Sequence, residues 1–197
     1  MKSSQLASIV AATVLVAGCA QVPSTDIESA RRMLDDAKQA QASDYAPDEW
    51  NAASDAEARL EAELKAQEER WTLTRSYAKS RALAAEVLAT ARTARESAVA
   101  GRERTKTEVA ALMTEANAAN AQAKEALAGA PKGKGTQADL AALTTDSQSI
   151  DSTLTDMQRA FDAGDYNNAR AKAQAAIDAA RQIVRQVEDA KSRGRAA

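Results

Sequence analysis

Histidine is absent from the sequence, and cysteine occurs only once, at Cys19. Histidine is the commonest general acid–base group and a frequent metal ligand, and the cysteine thiolate is a common nucleophile. Carboxylates remain, but pairs such as Asp35 and Asp36 are neighbours in sequence, and adjacent residues of a helix point in different directions and stay hydrated. We therefore expect no enzymatic activity, no metal site and no cofactor.

Aromatic residues, proline and glycine are also scarce: the 197 residues include two Trp, three Tyr, one Phe, three Pro and seven Gly. Alanine, by contrast, occurs 50 times. Alanine has the highest helix propensity and buries little apolar area, so this composition predicts long helices packed along narrow stripes. The predicted fold is all-α: an elongated antiparallel helical bundle with coiled-coil-like hairpins, in which about five helices share one long central helix.

Neither sign of charge dominates, since 26 Lys and Arg residues face 28 Asp and Glu residues and the formal net charge is -2. The two signs are interspersed along the chain. A nucleic-acid-binding domain carries a clustered basic footprint, which is missing here. We therefore expect no nucleic-acid partner.

The N-terminal residues have the three parts of a secretory signal: a cation at Lys2, an apolar run over residues 9–16, and the small residues Ala17 and Gly18. The apolar run is shorter than the about 20 residues that a membrane-spanning helix needs. Residues 15–19 (LVAGC) resemble a bacterial lipobox, in which a signal peptidase cuts between Gly18 and Cys19 once the sulfur carries diacylglycerol. A plain secretory signal or an uncleaved anchor is the alternative.

The lipobox resemblance implies a signal peptide at residues 1–18 and a lipidated tether at residues 19–25. Two or three acyl chains on Cys19 would hold stably, because one chain binds marginally and each buried methylene adds about 0.8 kcal/mol. Ala20 stands where inner-membrane lipoproteins of the enteric type often carry Asp. By resemblance to that sorting rule, we expect a lipid anchor on the periplasmic face of the outer membrane rather than the inner membrane.

Small and apolar residues recur three and four apart along the mature chain, which indicates helices. The first helix is predicted over residues 26–42, with Thr25 or Ser24 as its N-cap and Glu28 in capping-box position. Residues 43–47 (SDYAP) are predicted to break the helix, and Pro47 suits the first turn of the second helix. The stripe of the second helix predicts that both tryptophans lie in a core; it comprises Trp50, Ala53, Glu57, Leu60, Leu64, Gln67 and Trp71.

The stripe changes phase after Trp71 and resumes with Leu73 and Tyr77. This predicts a tight reversal within residues 69–76, although no glycine or proline marks it; a continuous helix is the alternative. A long helix is then predicted from about Thr72 to Ala128. Residues 100–108 contain no large apolar side chain on which to build a core. We therefore place a boundary there, between an N-terminal bundle at residues 26–104 and a C-terminal bundle at residues 105–197.

Residues 129–136 hold three glycines and a proline, and their spacing does not match a phosphate-binding loop, so they predict a linker. The next helix carries a strict three-four repeat from Leu140 to Phe161, typical of a coiled-coil seam. Gly164 and Asp165 suit a turn, because glycine ends helices and aspartate caps them. The last helix begins at Tyr166.

Residues 45–50 (YAPDEW), followed by Ala53, Leu60 and residues 77–84 (YAKSRALA), resemble the bacterial envelope family known as domain of unknown function 4398. The resemblance covers residues 27–98. It implies a small helical lipoprotein, and it brings no catalytic or binding residues.

These observations favour a periplasmic helical lipoprotein, anchored in the outer membrane, that acts as a structural or scaffolding element of the cell envelope. The alternative is a binding module that recognises cell wall or a partner envelope protein. The expected partners are the membrane, through the lipid on Cys19, and an envelope protein or peptidoglycan. The sequence leaves the oligomeric state open.

Overall fold

The computed structural model describes residues 21–131 and 137–196. In these ranges the chain is helical and contains no strand, which confirms the all-α prediction. Six α-helices are present, with a short 3₁₀ turn at Thr72–Thr74 between the third and fourth. They are α1 (Ser24–Gln39), α2 (Ala42–Tyr45), α3 (Pro47–Glu68), α4 (Ala78–Ala128), α5 (Gln137–Asp162) and α6 (Tyr166–Ala196).

The chain divides into two compact units, and the division between Arg95 and Glu96 falls within α4. The predicted boundary at residue 104 lies inside the second unit. The expectation that residues 100–108 contribute to no core is wrong, because Gly101 and Thr105 are buried. A helix face made of small residues can be buried by close approach of its neighbours, without any large apolar side chain.

The first unit contains α1, α2, α3 and the N-terminal part of α4. Its predicted stripes are largely confirmed, and Leu60, at 2% exposure, is among the largest buried side chains. An ion pair of 3.9 Å joins Arg31 to Glu61, and another of 2.8 Å joins Arg59 to Glu86. The buried apolar residues of α1, α3 and α4 include Ile27, Ala30, Leu34, Ala37, Ala53, Ala56, Leu60, Ala84, Val87 and Ala91.

In the first unit, the start of α3 follows the prediction and the start of α1 departs from it. α3 begins at Pro47, whose fixed φ suits a first helical turn. α1 begins at Ser24 with Pro23 as its N-cap and no side-chain capping bond, so the predicted capping box is wrong. α1 also ends early, at Gln39, because Gln41 takes a left-handed conformation with φ of 58°.

The second unit contains the remainder of α4 with α5 and α6, and its stripes are largely confirmed, although Leu140, Leu154 and Phe161 are only half-buried. Gly164 has φ of +78° and forms the turn between α5 and α6. The Gly164 N–H donates to the Phe161 carbonyl (2.9 Å) and the Asp165 N–H to the Ala160 carbonyl (3.0 Å), which is the Schellman pattern of a helix end. The buried residues of α6 include Tyr166, Ala169, Ala173, Ala176, Ile177, Ala180, Ile183 and Val187.

Candidate functional site

The loop between α3 and α4 carries the two most exposed large apolar side chains in the described part of the chain. Trp71 is 70% exposed and Leu73 is 78% exposed. They lie in the uncharged run at residues 71–74, which Arg70 and Arg75 flank, and we call residues 70–75 the tip. The predictions that Trp71 lies in a core and that Leu73 belongs to a buried stripe are therefore wrong, and Trp50 is only half-buried.

The helix breaks between Glu68 and Ala78, at the segment where a reversal was predicted, and Arg75 explains how this break forms without glycine. The Arg75 Nε donates to the Arg70 carbonyl (3.0 Å) and Nη2 donates to the Glu68 carbonyl (2.9 Å). The last carbonyls of a helix have no partner within the helix, and an arginine side chain can satisfy them. Inside the tip, the Thr74 N–H and hydroxyl both donate to the Trp71 carbonyl (2.8 and 2.9 Å).

A chain of hydrogen bonds fastens the tip to both neighbouring helices. Gln67, only 3% exposed, accepts from the Ser76 N–H (2.9 Å) through Oε1 and donates to Glu63 Oε1 (2.7 Å) through Nε2. The other oxygen of Glu63 pairs with Lys79 Nζ at 2.7 Å. Gln67 looks like a polar defect in the stripe of α3, but its amide holds the backbone that leaves the tip.

The carboxylate of Glu63 is charged more readily than an ordinary glutamate. The hydrogen bond from Lys79 lowers the pKa of Glu63, and that from Gln67 lowers it further, against the opposing effect of burial. In the second unit, Lys124 and then Asn120 lower the pKa of Asp151 in the same way. Both carboxylates therefore stay ionised below the pH at which they would protonate in an unfolded chain.

Because the pKa of Glu63 is lower in the folded state, the ionised form stabilises the fold. That contribution is present above the unfolded pKa of about 4.3 and is lost as the pH falls through the folded pKa. We expect Glu63→Gln to lower the free energy of unfolding at pH 7 and to differ less from the wild type in acid. Urea denaturation at both pH values measures this, with Glu61→Gln as the control on the same helix. An equal loss at both pH values would contradict the prediction.

The start of α1 lies beside the tip. Asp26, in the first turn of α1, pairs with Arg81, in the first turn of α4, at 3.5 Å. The ion pair between Arg31 and Glu61 also places the start of α1 near the end of α3. Arg31 lies seven residues after the start of α1, and Glu61 lies seven residues before the end of α3. Val22, just before α1, is 46% exposed. The tip and the N-terminal segment therefore share one end of the first unit.

In the second unit, polar side chains of α4 contact the turn before α6 and the side of α5. The Arg102 guanidinium lies 5.2 Å from the centre of the Tyr166 ring, and its Nη2 approaches the Gly164 carbonyl at 3.4 Å. The Asp151 carboxylate accepts from Lys124 Nζ (2.7 Å) and from Asn120 Nδ2 (2.8 Å). These contacts connect α4 to the turn and to α5, and they serve packing.

An open groove of about 260 Å³ lies between the N-terminal part of α5 and the C-terminal part of α6. Leu140, Leu143 and Val187 line it, together with the charged residues Asp146 and Arg193. Its volume is below the range typical of small-molecule pockets, about 300–1,000 Å³. It is a candidate contact surface for a larger partner.

Residues 21–131 and 137–196 contain no cluster of three or more acidic or cysteine side chains that could hold a metal ion. Within the same ranges, the helices lack the combination of length and apolar character required to cross a bilayer.

The predicted site residues and the observed tip are different parts of the chain. Cys19 and Gly18, the predicted lipidation and cleavage residues, lie outside the described residues, as do residues 132–136 of the predicted linker. The sequence signal for the tip is the phase change of the stripe after Trp71, where two apolar residues stand between two arginines. Comparison with protein-family models, curated proteins and solved structures finds no match for this chain.

Proposed function

We propose that the protein is a helical lipoprotein, anchored through Cys19 in the outer membrane on its periplasmic face, and that it acts as a structural or scaffolding element of the cell envelope. The observation that carries the proposal is the position of the sole cysteine, directly after a short apolar run and two small residues. The similarity of residues 27–98 to the envelope family named above agrees with this proposal and stays a prediction.

The contacts within each unit support helical hairpins as the building blocks of this scaffold. Glu63 of α3 pairs with Lys79 of α4, whereas Arg59, which lies earlier in α3, pairs with Glu86, which lies later in α4. This order of contacts is that of two antiparallel helices. The tight turn at Gly164 supports a second hairpin of α5 and α6. The three-four spacing along α6 favours coiled-coil-like packing.

A scaffolding role also agrees with the chemistry of the chain. The sequence contains no histidine, and a lipid on Cys19 would occupy its only thiol. Ten ion pairs occur in the described helices, and eight of them join one helix to another, as expected of a protein built to hold its helices together. We propose that the protein is not an enzyme and that its partners are the membrane, through the lipid on Cys19, and an envelope protein or peptidoglycan.

Cell fractionation of the wild type and of Cys19→Ser tests the anchor. We expect the wild type in the outer-membrane fraction and the serine variant outside it, because serine has no sulfur to accept diacylglycerol. The variant should keep its helical circular dichroism, since residue 19 precedes α1 by five positions. Cys19→Ser that remains in the outer-membrane fraction would contradict the proposal.

A second candidate function is recognition of an envelope partner, and the groove between α5 and α6 favours it. Leu143 is buried at its floor, whereas Leu140 is half-buried at its edge. A photocrosslinker placed at residue 140 in intact cells would test this function. One specific adduct with a single envelope protein or with peptidoglycan is expected, and an equal adduct from position 148, on the exposed face of α5, would contradict it.

A further inference from the structure

We infer that the tip, residues 70–75, is a second membrane contact, in which Trp71 and Leu73 enter the bilayer interface next to the lipid anchor. This inference rests on the proposed lipidation of Cys19. It concerns only the first unit, and it commits to a lipid bilayer as the surface that covers the tip.

Exposed large apolar residues are concentrated at one end of the first unit. In the described part of the chain four such side chains are exposed, namely Val22, Trp71, Leu73 and Val99. Three of these four lie at the end that the tip shares with the N-terminal segment, as the Asp26 and Arg81 ion pair shows. A water-soluble surface does not require this grouping, whereas a membrane-facing end does.

The chemistry of the tip fits the boundary between headgroups and acyl chains. Tryptophan is enriched at that boundary because its ring is apolar and its indole N–H is a hydrogen-bond donor. Leu73 adds a wholly apolar side chain, and the four residues 71–74 carry no charge. Arg70 and Arg75 are offset by Glu68 and Glu69, so the contact is driven by apolar burial and does not depend on anionic lipid.

The tip is held in shape before it meets a membrane. Arg75 caps the end of α3, Gln67 holds the Ser76 N–H, and Thr74 closes the turn onto the Trp71 carbonyl. A loop fixed in this way loses little conformational entropy on binding. Trp71 and Leu73 are therefore presented to solvent by the fold, at the cost of exposed apolar area.

The length of the tether places the tip within reach of the bilayer. Cys19 lies five residues before Ser24, so the two α-carbons are at most about 18 Å apart when the chain is extended. Asp26 lies in the first turn after Ser24 and contacts Arg81 in the first turn after the tip. An acylated Cys19 therefore keeps this end of the first unit close to the membrane surface.

The two tryptophans provide a test with an internal control, because they lie near opposite ends of α3. Trp50 is in its first turn, 18 residues before Glu68, which corresponds to about 27 Å along the helix axis. In Trp50→Phe the only tryptophan is Trp71, and in Trp71→Phe it is Trp50. Circular dichroism verifies that both variants keep their helical content.

The full-length lipidated variants are reconstituted into phosphatidylcholine vesicles with and without bromine on the upper acyl chains, and flotation through a density gradient reports anchoring. We expect Trp71 to shift its emission to shorter wavelength and to be quenched by bromine, since interfacial side chains sit about 5–10 Å into the boundary. Trp50 should show neither effect. Leu73→Asp, added to Trp50→Phe, should weaken the quenching, and 0.5 M salt should not.

The outcomes separate the inference from the proposed function. If the protein floats and Trp71 is no more quenched than Trp50, the anchor stands and the membrane contact is overturned. A protein partner would then be the surface to test against the tip. If the lipid-bearing fraction does not float, the anchor fails and the inference falls with it. Flotation with selective quenching of Trp71 supports both.

Discussion

Leu60→Ala should lower the free energy of unfolding by about 2–5 kcal/mol, the range for truncation of a buried leucine that leaves a cavity. Leu60 is 2% exposed, and most of the other buried apolar residues of the first unit are alanines, whose short side chains cannot fill the space. The loss should appear in the first unit alone. Hydrogen exchange mapped along the chain measures this, because local opening is resolved residue by residue.

Ile183→Ala is the matched variant in the second unit, where Ile183 is also 2% exposed. It should reduce protection in α5 and α6 and leave α1 and α3 unchanged. Equal loss of protection in both units from either variant would mean a single cooperative core. The division of the chain at Arg95 would then have no energetic counterpart.

Gly164→Ala should destabilise the second unit by about 2 kcal/mol, because a side chain disfavours the left-handed conformation by about 1–2 kcal/mol and a contact is also lost. An added Cβ would stand 2.5 Å from Arg102 Nη2. The Arg102 side chain is flexible and can move, but it then leaves the Gly164 carbonyl and the ring of Tyr166. Thermal unfolding followed by circular dichroism measures the loss.

Gly129→Ala provides the control for this prediction. Gly129 does not need a left-handed conformation, and an added Cβ would meet its nearest neighbour, Lys191 Nζ, at an ordinary 3.6 Å. We expect its melting temperature to stay near that of the wild type. If both alanine variants lose the same stability, the left-handed turn is not the reason for the effect.

The stripes of α1 and α6 could be predicted from sequence because each depends on the spacing within one segment. Ile27, Ala30, Leu34 and Ala37 are all buried, as their three-four spacing indicates. The same holds for α6, where small residues alternate with Ile183 and Val187. Burial of this kind needs only a partner surface, whatever its identity.

The position of the break between α3 and α4 could be predicted, but the exposure of Trp71 and Leu73 could not, because it depends on contacts between segments. Trp71 continues the spacing of α3, but the helix ends at Glu68, whose carbonyl accepts a hydrogen bond from Arg75 beyond the turn. Gln67 is a polar residue at a stripe position, and its amide joins Glu63 to the Ser76 N–H. Spacing within a helix contains no information about these partners.

The burial of Gly101 and Thr105 departs from the prediction for a different reason. Only large apolar side chains signal a core in a sequence, and both of these residues are small. Burial depends equally on how closely neighbouring elements approach, and small residues permit the closest approach. Here the neighbouring element is the turn between α5 and α6, where Arg102 contacts Gly164 and Tyr166.

Metabolic labelling with radioactive palmitate tests the central claim, the lipid anchor on Cys19, most directly. The wild-type protein and Cys19→Ser are expressed at equal levels, immunoprecipitated and compared by autoradiography. The account predicts that label enters the wild type and is absent from the serine variant, because Cys19 is the sole cysteine in the chain. Label in Cys19→Ser equal to that in the wild type would contradict the account.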